Sequence, residues 1–462
     1  MGFTAKPQIR TVGSAMSNPG EADLTPITSV RQLADWFAKG SKPASAWTIG
    51  TEHEKFGFYH GDLSPPPYEP RGIRALLENL QAKGWAPILD NGNPIGLTRG
   101  KASISLEPGG QFELSGAPLP DLHAAWAELR NHIEETREAS APLDLGFAPL
   151  GFHPLAKRED MPWMPKGRYA IMRQYMPRVG AMGLDMMVRT CTVQVNLDFG
   201  TEADMVEKLR VSLALQPIAT ALFANSPFAE GRPNGLRTLR GRVWTETDPD
   251  RTGIPAVAFE EGFGFERFSE YVLDVPMYFI MREGRWIDAT GSTFRQFIAR
   301  GLPGQPGIEA TMGDWADHVT TVFTDVRLKR FLEMRGADAG SPEMLQALPA
   351  FWAGLIYNDA AQKAAAALVR DWPVEEIQAL RRAVPETALA TPFRGRTVRD
   401  IAADAVAIAR DGLRARGLGE EVFLEPLDAI LASSETQADR WLRLYHGEWK
   451  GDVSRIFTAA AI

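Results

Sequence analysis

Apolar residues recur at helical spacing in some stretches and alternate in others, and the switch between the two periods divides the chain into elements. Val30, Leu33 and Phe37 form one stripe behind Ser29, whose spacing to Gln32 predicts a capping box, and Gly40 ends the helix. The run WTIGTEHEKFGF alternates as a strand does. The stretch SPPPYEP over 64–70 reads as a loop before a helix marked by Ile73, Leu76, Leu77 and Leu80. KASISLE (101–107) and QFELSG (111–116) flank Pro108-Gly109-Gly110 as a hairpin would, and 121–139 reads as a helix. Strict alternation in MVRTCTVQVNLDF predicts a strand over 187–199, followed by a helix from Ala203 to Ala224 with Pro217 as a kink. Residues 232–306 are aromatic and loop-rich, with short strands such as PMYFI and RWIDA. VRLKRFLEMR predicts one more strand over 326–335. From about Leu348 the pattern is helical, with Thr397 and Asp400 capping one helix. The expectation is an α+β protein with a loose tail over 1–25, an α+β core over 26–345 and a helical part over 346–462.

The polar strand faces hold the candidate chemistry. Residues two apart on a strand share a face, so Glu52 and Glu54 project together, away from Trp47, Ile49 and Thr51. Two carboxylates so placed repel unless water or a cation lies between them, and a solvated sheet face fits as well as a site. The hairpin repeats the pattern: Ser103, Ser105, Glu107, Gln111 and Glu113 share one parity, opposite Ile104 and Leu106. On the third strand Thr190, Thr192, Gln194, Asn196 and Asp198 face away from Cys191, Val193, Val195, Leu197 and Phe199. An apolar face so regular must be buried, and the amides and hydroxyls opposite suit a polar cavity. Cys191 then reads as a core residue.

On the fourth strand Lys329, Glu333 and Arg335 share a parity, while Arg330 falls among Leu328, Leu332 and Met334 and needs a partner or an edge. Glu333 with Arg335 fits a structural ion pair. In a cavity lined by carboxylates, Glu333 reads instead as a metal ligand and Arg335 as an anion clamp, because a guanidinium binds carboxylate or phosphoryl oxygens in bidentate fashion. Glu52, Glu54, Glu107, Glu113 and Glu333, with Gln194 and Asn196, are hard oxygen donors without a cysteine or histidine cluster. That set favours Mg²⁺ or Mn²⁺ over zinc. Several such ions on an acidic sheet can hold the phosphates of ATP. The chain has neither a P-loop nor a kinase motif set, so nucleotide binding would be metal-led. His53 is on the wrong parity to join, and His123, His132 and His318 fall in helical stretches.

Composition narrows the partners. Lys+Arg 50 against Asp+Glu 58 gives a net charge of −8, which argues against nucleic acid or an anionic membrane. No apolar run reaches membrane-spanning length. A single cysteine excludes a disulfide within the chain and a cysteine-rich zinc site, and fits a reducing compartment. The N-terminus, with Lys6 and Arg10 and no acid before Glu21, is only faintly like a transit peptide. The reading is a cytoplasmic protein, monomer or homodimer, acting on small molecules.

The runs GTEHEKFGF, SISLEPGGQFELSGAPL, GLDMM-x-RTCTVQVNLDF, ALQPIATALFANSPF, WT-x-TD-x-DRTG, LDVPMYF and RLKR-x-x-EMRGAD together resemble plant-type glutamate–cysteine ligase, from about Trp47 to the C-terminus. The resemblance implies a glutamine synthetase-related fold, with a curved, mostly antiparallel sheet open at one end like a funnel. It implies joining of L-glutamate, through its γ-carboxylate, to L-cysteine with ATP and Mg²⁺, by way of a γ-glutamyl phosphate. By motif, the metal ligands fall on Glu52, Glu54, Glu107, Glu113 and Glu333, and on Gln194, where distant bacterial relatives have a histidine. Arg335 resembles the arginine that meets the transferring phosphoryl group, with Glu52 and Glu54 beside it in the catalytic set. Nucleotide contacts are expected at Lys329, Lys166 and Arg168, although Lys166, Arg168 and Arg173 fit a surface basic patch equally well. Substrate contacts are expected at Thr190, Thr192, Arg189, Arg240 and Trp244. Plant members use cysteine pairs as a redox switch, which a chain with Cys191 alone cannot form. The rival readings are a ligase of the same fold with another amine acceptor, a catalytically silent binding subunit and a metal-stabilised structural protein.

Overall fold

The computed structural model describes residues 23–462. The tail expected over 1–25 therefore lies almost wholly outside the described residues. At its end, the Asp23 and Thr25 carbonyls accept from the Gly313 and Met312 N–H groups at 2.8 and 2.9 Å.

Nine strands, numbered here along the chain, make one sheet. They are β1 (Ile49–Tyr59), β2 (Ala86–Asp90), β3 (Asn93–Arg99), β4 (Ala102–Leu106), β5 (Phe112–Ser115), β6 (Leu145–Ala148), β7 (Thr192–Leu197), β8 (Val326–Leu328) and β9 (Leu332–Asp338). The order is β8-β9-β7-β1-β5-β4-β3-β2, with β6 pairing the far end of β1, and every pairing is antiparallel. Bulges in β9 and between β2 and β3 bend the sheet locally. The fold is thus α+β with an antiparallel sheet surrounded by helices, as the sequence pattern implies.

β1 sits at the centre because its two faces do different work. Glu52 and Glu54 lie on one face; His53 and Lys55 lie on the other, where Lys55 Nζ is 2.7 Å from His132 Nε2 of the helix Leu122–Ser140. The side of the sheet carrying Val193, Val195, Leu197, Leu332 and Met334 is fully covered. The helices Glu202–Leu222 and Pro342–Ile356 pack there and are buried along most of their length, Pro217 included. Beyond Pro342 the chain is helical apart from a two-residue hairpin, Pro392–Phe393 with Arg396–Thr397. Among the described residues no helix is long and apolar enough to cross a membrane.

Three local expectations need correction. Ser29 does cap Val30–Ala38 by accepting from the Gln32 N–H, but the Gln32 side chain accepts from Thr28 N, so the box closes one residue early. Residues 187–189 are the last turn of the helix Gly183–Arg189, and β7 begins at Thr192, where pairing with β1 and β9 becomes available. The stretch 326–335 is a hairpin, turning at 329–331, with Arg327 directly opposite Glu333. Arg330 takes the edge the sequence demanded of it, its guanidinium 4.8 Å from the Trp36 ring centre and its Nε donating to Trp36 O at 3.3 Å.

Candidate active site

The strand registers bring the expected acids together on one face. Across β1 and β5, Glu54 stands opposite Glu113 and Glu52 opposite Ser115; across β1 and β7, Glu52 stands opposite Gln194. Glu333 of β9 stands opposite Asn196 of β7, and Ser105 of β4 opposite Glu113. The β4–β5 turn that aligns two of these strands depends on its glycines: Gly110 has φ +83, and a Cβ on Gly109 would come within 2.4 Å of Val188 O.

Glu52, Glu54, Glu113 and Glu333 have protein partners. Asn196 Nδ2 and Gln194 Nε2 donate to Glu52 at 2.7 and 3.3 Å, and Thr192 N donates to Glu54 at 2.9 Å. Ser105 and Ser115 hydroxyls donate to Glu113 at 2.7 and 3.2 Å. Glu333 is held between Lys329 Nζ at 2.9 Å and the Arg327 guanidinium, with Arg335 Nη1 at 3.8 Å.

The electrostatics split the group. Burial, then repulsion from Glu333 and Glu113, pushes Glu52 up to about 7. Burial and Glu107 push Glu54 well above the usual carboxylate range, and Glu113 rises for the same reasons. Burial pushes Glu333 the same way, but Arg327, Lys329 and Arg335 outweigh it and hold its carboxyl down at about 2. Glu333 is therefore a neutralised anion, whereas Lys329, Arg240 and Lys166 only partly offset the burial and repulsion at Glu52, Glu54 and Glu113 respectively.

The donor set fits a hard cation. Because the Gln194 and Asn196 amino groups are engaged by Glu52, Gln194 Oε1 and Asn196 Oδ1 are buried without any donor. Unpartnered carbonyl oxygens beside protonation-prone carboxylates suit an ion that prefers oxygen. Among the described residues, however, no three acidic, histidine or cysteine side chains already converge as ligands of one ion.

Next to this face opens a cavity of about 710 Å³, counting its mouth, into which Glu54 and Glu107 project. Arg168, Arg240, Arg335, Thr190, Thr192 and Trp244 also line it, so six of the expected contacts meet there. Arg240 is 2% exposed; its Nη2 donates to Arg335 O at 2.8 Å, while its Nε and Nη1 are unbonded. The remaining wall is apolar, including Met172, Met186, Phe279 and Phe323.

Other expected residues lie elsewhere. Arg189 does not face the cavity: Asp185 at 2.6 Å and Glu230 at 3.1 Å hold its guanidinium. It is the last residue of the helix Gly183–Arg189, and the contact that the resemblance implied for it is not made here. Lys329 reaches Glu333 and not the cavity. Arg173 is exposed and stacks on Trp163, 4.4 Å from the ring centre. Lys166 is not a surface cation. It is 4% exposed, with Nζ unbonded 5.5 Å from the Tyr169 ring centre, and burial lowers it to about 7. Sequence reasoning missed Arg327, fully buried against Glu333, and Thr320 and Thr321, which line the cavity from the end of the helix Met312–Thr320. Recognising the hairpin would have exposed the first; nothing in the pattern marks the other two.

The model of glutamate–cysteine ligase family 2 matches residues 48–459. The chloroplastic glutamate–cysteine ligase of Medicago truncatula is 50% identical over 433 residues, covering 94% of this chain and 85% of that protein. The chloroplastic one of Arabidopsis thaliana is 51% identical over 433 residues, covering 94% and 82%. Among solved structures, glutamate–cysteine ligase from Francisella tularensis in complex with AMP has a TM-score of 0.55 at 12% identity, covering 90% of this chain and 87% of that one, a likeness of fold. These relatives overturn the cytoplasmic placement: the plant proteins are chloroplastic.

Proposed function

The chain belongs to glutamate–cysteine ligase family 2, and from that premise we infer that it joins the γ-carboxylate of L-glutamate to the amine of L-cysteine at the expense of ATP. A γ-carboxylate oxygen attacks the γ-phosphorus of ATP, and ADP leaves. The cysteine amine then attacks the γ-glutamyl phosphate, and phosphate departs with that oxygen. The product, γ-glutamylcysteine, is the first intermediate of glutathione synthesis.

We assign the residues as follows. Arg335 meets the transferring phosphoryl group; its guanidinium borders the cavity, makes no hydrogen bond through Nη1, and supplies a planar fork for anionic oxygens. Arg240, Arg168, Thr190, Thr192 and Trp244 line the same cavity and bind the amino-acid substrates and nucleotide. Lys166 adds a buried, unbonded ammonium close by. Glu52, Glu54, Glu107, Glu113, Gln194 and Glu333 would hold Mg²⁺, Glu333 while also paired with Arg327 and Lys329. When bound, Mg²⁺ (or Mn²⁺) supplies charge neutralisation for the polyphosphate. The protein acts as a monomer or homodimer.

The observation that carries this reading is one sheet face of buried, mutually repelling carboxylates opening beside a cavity with three arginines. The test is ADP release with glutamate and Mg²⁺, with cysteine present and absent. Sustained release only with cysteine, with γ-glutamylcysteine as product, supports the reading. Equal turnover with unrelated amines would replace cysteine as the acceptor, and no ADP under any condition would remove the ligase function.

A further inference from the structure

Behind the active cavity lies a smaller one, and the two share a wall made by Arg240, Trp244, Phe323 and Arg335. Arg381 closes the far side. It belongs to the helix Val374–Thr387, remote in sequence from every residue given a role above. Its Nε and Nη2 grip the Asp325 carboxylate at 2.6 and 3.0 Å, and Nη2 also donates to Trp244 O at 3.1 Å.

Both contacts bear on the catalytic wall. Trp244 is in the last turn of the helix Leu239–Thr245, where main-chain carbonyls have no partner within the helix, and a cation there is favoured by the helix dipole as well. Asp325 directly precedes β8, and its carbonyl accepts from Arg335 N at 3.2 Å. The Arg335 guanidinium stands 5.2 Å from the Trp244 ring centre and 5.3 Å from that of Phe323. The same supporting helix holds the other end of Leu239–Thr245: Pro385 O accepts from Arg237 N and Thr238 N at 2.8 and 3.2 Å. One guanidinium fork thus ties the helix bearing Arg240 and Trp244 to the hairpin bearing Arg335.

We propose that Arg381 is a positioning residue for Arg335, bracing Trp244 and Asp325 so that the Arg335 guanidinium is held where phosphoryl transfer needs it. Small displacements of a catalytic group cost rate far more than they cost affinity, because the missing interaction is one made in the transition state. The function of the brace rests on the ligase reading; its mechanical part does not, and the experiment separates them.

The experiment compares full-length wild type with Arg381→Met, Arg381→Lys and Asp325→Asn well below their melting temperatures, by steady-state kinetics and by hydrogen exchange of peptides covering 239–246 and 332–336. Arg381→Lys keeps an ion pair with Asp325, and so the fold, but cannot span both partners. The expected result is at least a tenfold fall in kcat for Arg381→Met and Asp325→Asn and a several-fold fall for Arg381→Lys. The KM for ATP should change less than threefold, and exchange in both peptides should be faster. Arg381→Met combined with Asp325→Asn should be no more than threefold slower than Arg381→Met alone, because the two act as one unit. Wild-type kcat in Arg381→Lys and Asp325→Asn, or unchanged exchange in both peptides, overturns the proposal. A wild-type enzyme that forms no γ-glutamylcysteine would instead count against the ligase reading, and the exchange measurement would still judge the brace.

Discussion

Glu52 is raised to about 7 while Glu333, across one strand, is held at about 2, and the difference is made by cations: Glu333 has Arg327 and Lys329, and Glu52 has two amides. An acid whose pKa is raised by folding favours the fold below its unfolded value and loses that advantage as pH climbs through the folded value. Metal-free Glu52→Gln, neutral at every pH, should therefore match the wild type near pH 4, below the unfolded value, and exceed it at pH 8, by about 1–3 kcal/mol on the scale of that shift. Urea midpoints at the two pH values decide it, and a difference that does not change with pH would mean that Glu52 is not the strained acid. The same variant should lose turnover by about a hundredfold or more if it helps neutralise the polyphosphate. Arg335→Lys separates charge from geometry. Lysine keeps the charge and loses the fork, so kcat should fall by roughly ten- to a thousandfold, with KM values moving less. If only the KM values move, Arg335 binds substrate and does not act on the transferring group.

Within single strands, alternation was a faithful guide. It separated Glu52 and Glu54 from His53 and Lys55 on β1, and it aligned Ser105 with Glu113 across the β4–β5 hairpin. It failed where an element changed type without a marker. Lys329, Arg330 and Phe331 make a turn with no glycine or proline, so one strand was expected and Arg327 went unseen opposite Glu333. Met187 to Arg189 form a helical turn where the strand was expected to have begun already. β7 also bears on redox behaviour. Cys191, just before it, is fully buried, and burial, with Glu54 nearby, pushes its thiol well above the usual range. A buried thiol of this kind reacts slowly, and the chain has no second one to pair with. Activity should be the same after a dithiol reductant or a mild disulfide oxidant, with cysteine substrate held constant, and Cys191→Ser should keep that insensitivity. A reversible several-fold change that Cys191→Ser abolishes would contradict the burial.

Across the whole molecule, the α+β class and the convergence of acids were legible because period and parity are local properties. What was not legible depends on how distant elements meet. Thr320 and Thr321 arrive from one helix, Arg381 from another, and neither helix carries any mark of the sheet it serves. The central claim is that the carboxylate face and Arg335 serve one reaction, transfer of phosphate from ATP to the γ-carboxylate of glutamate. Glutamate labelled with ¹⁸O in that carboxylate tests it most directly, with the released phosphate read by mass spectrometry. The account predicts that each γ-glutamylcysteine formed is matched by one phosphate carrying a single ¹⁸O, and that Arg335→Lys slows the appearance of both together. Phosphate released without the label, while γ-glutamylcysteine still accumulates, would mean that no acyl phosphate forms, and the account would be wrong.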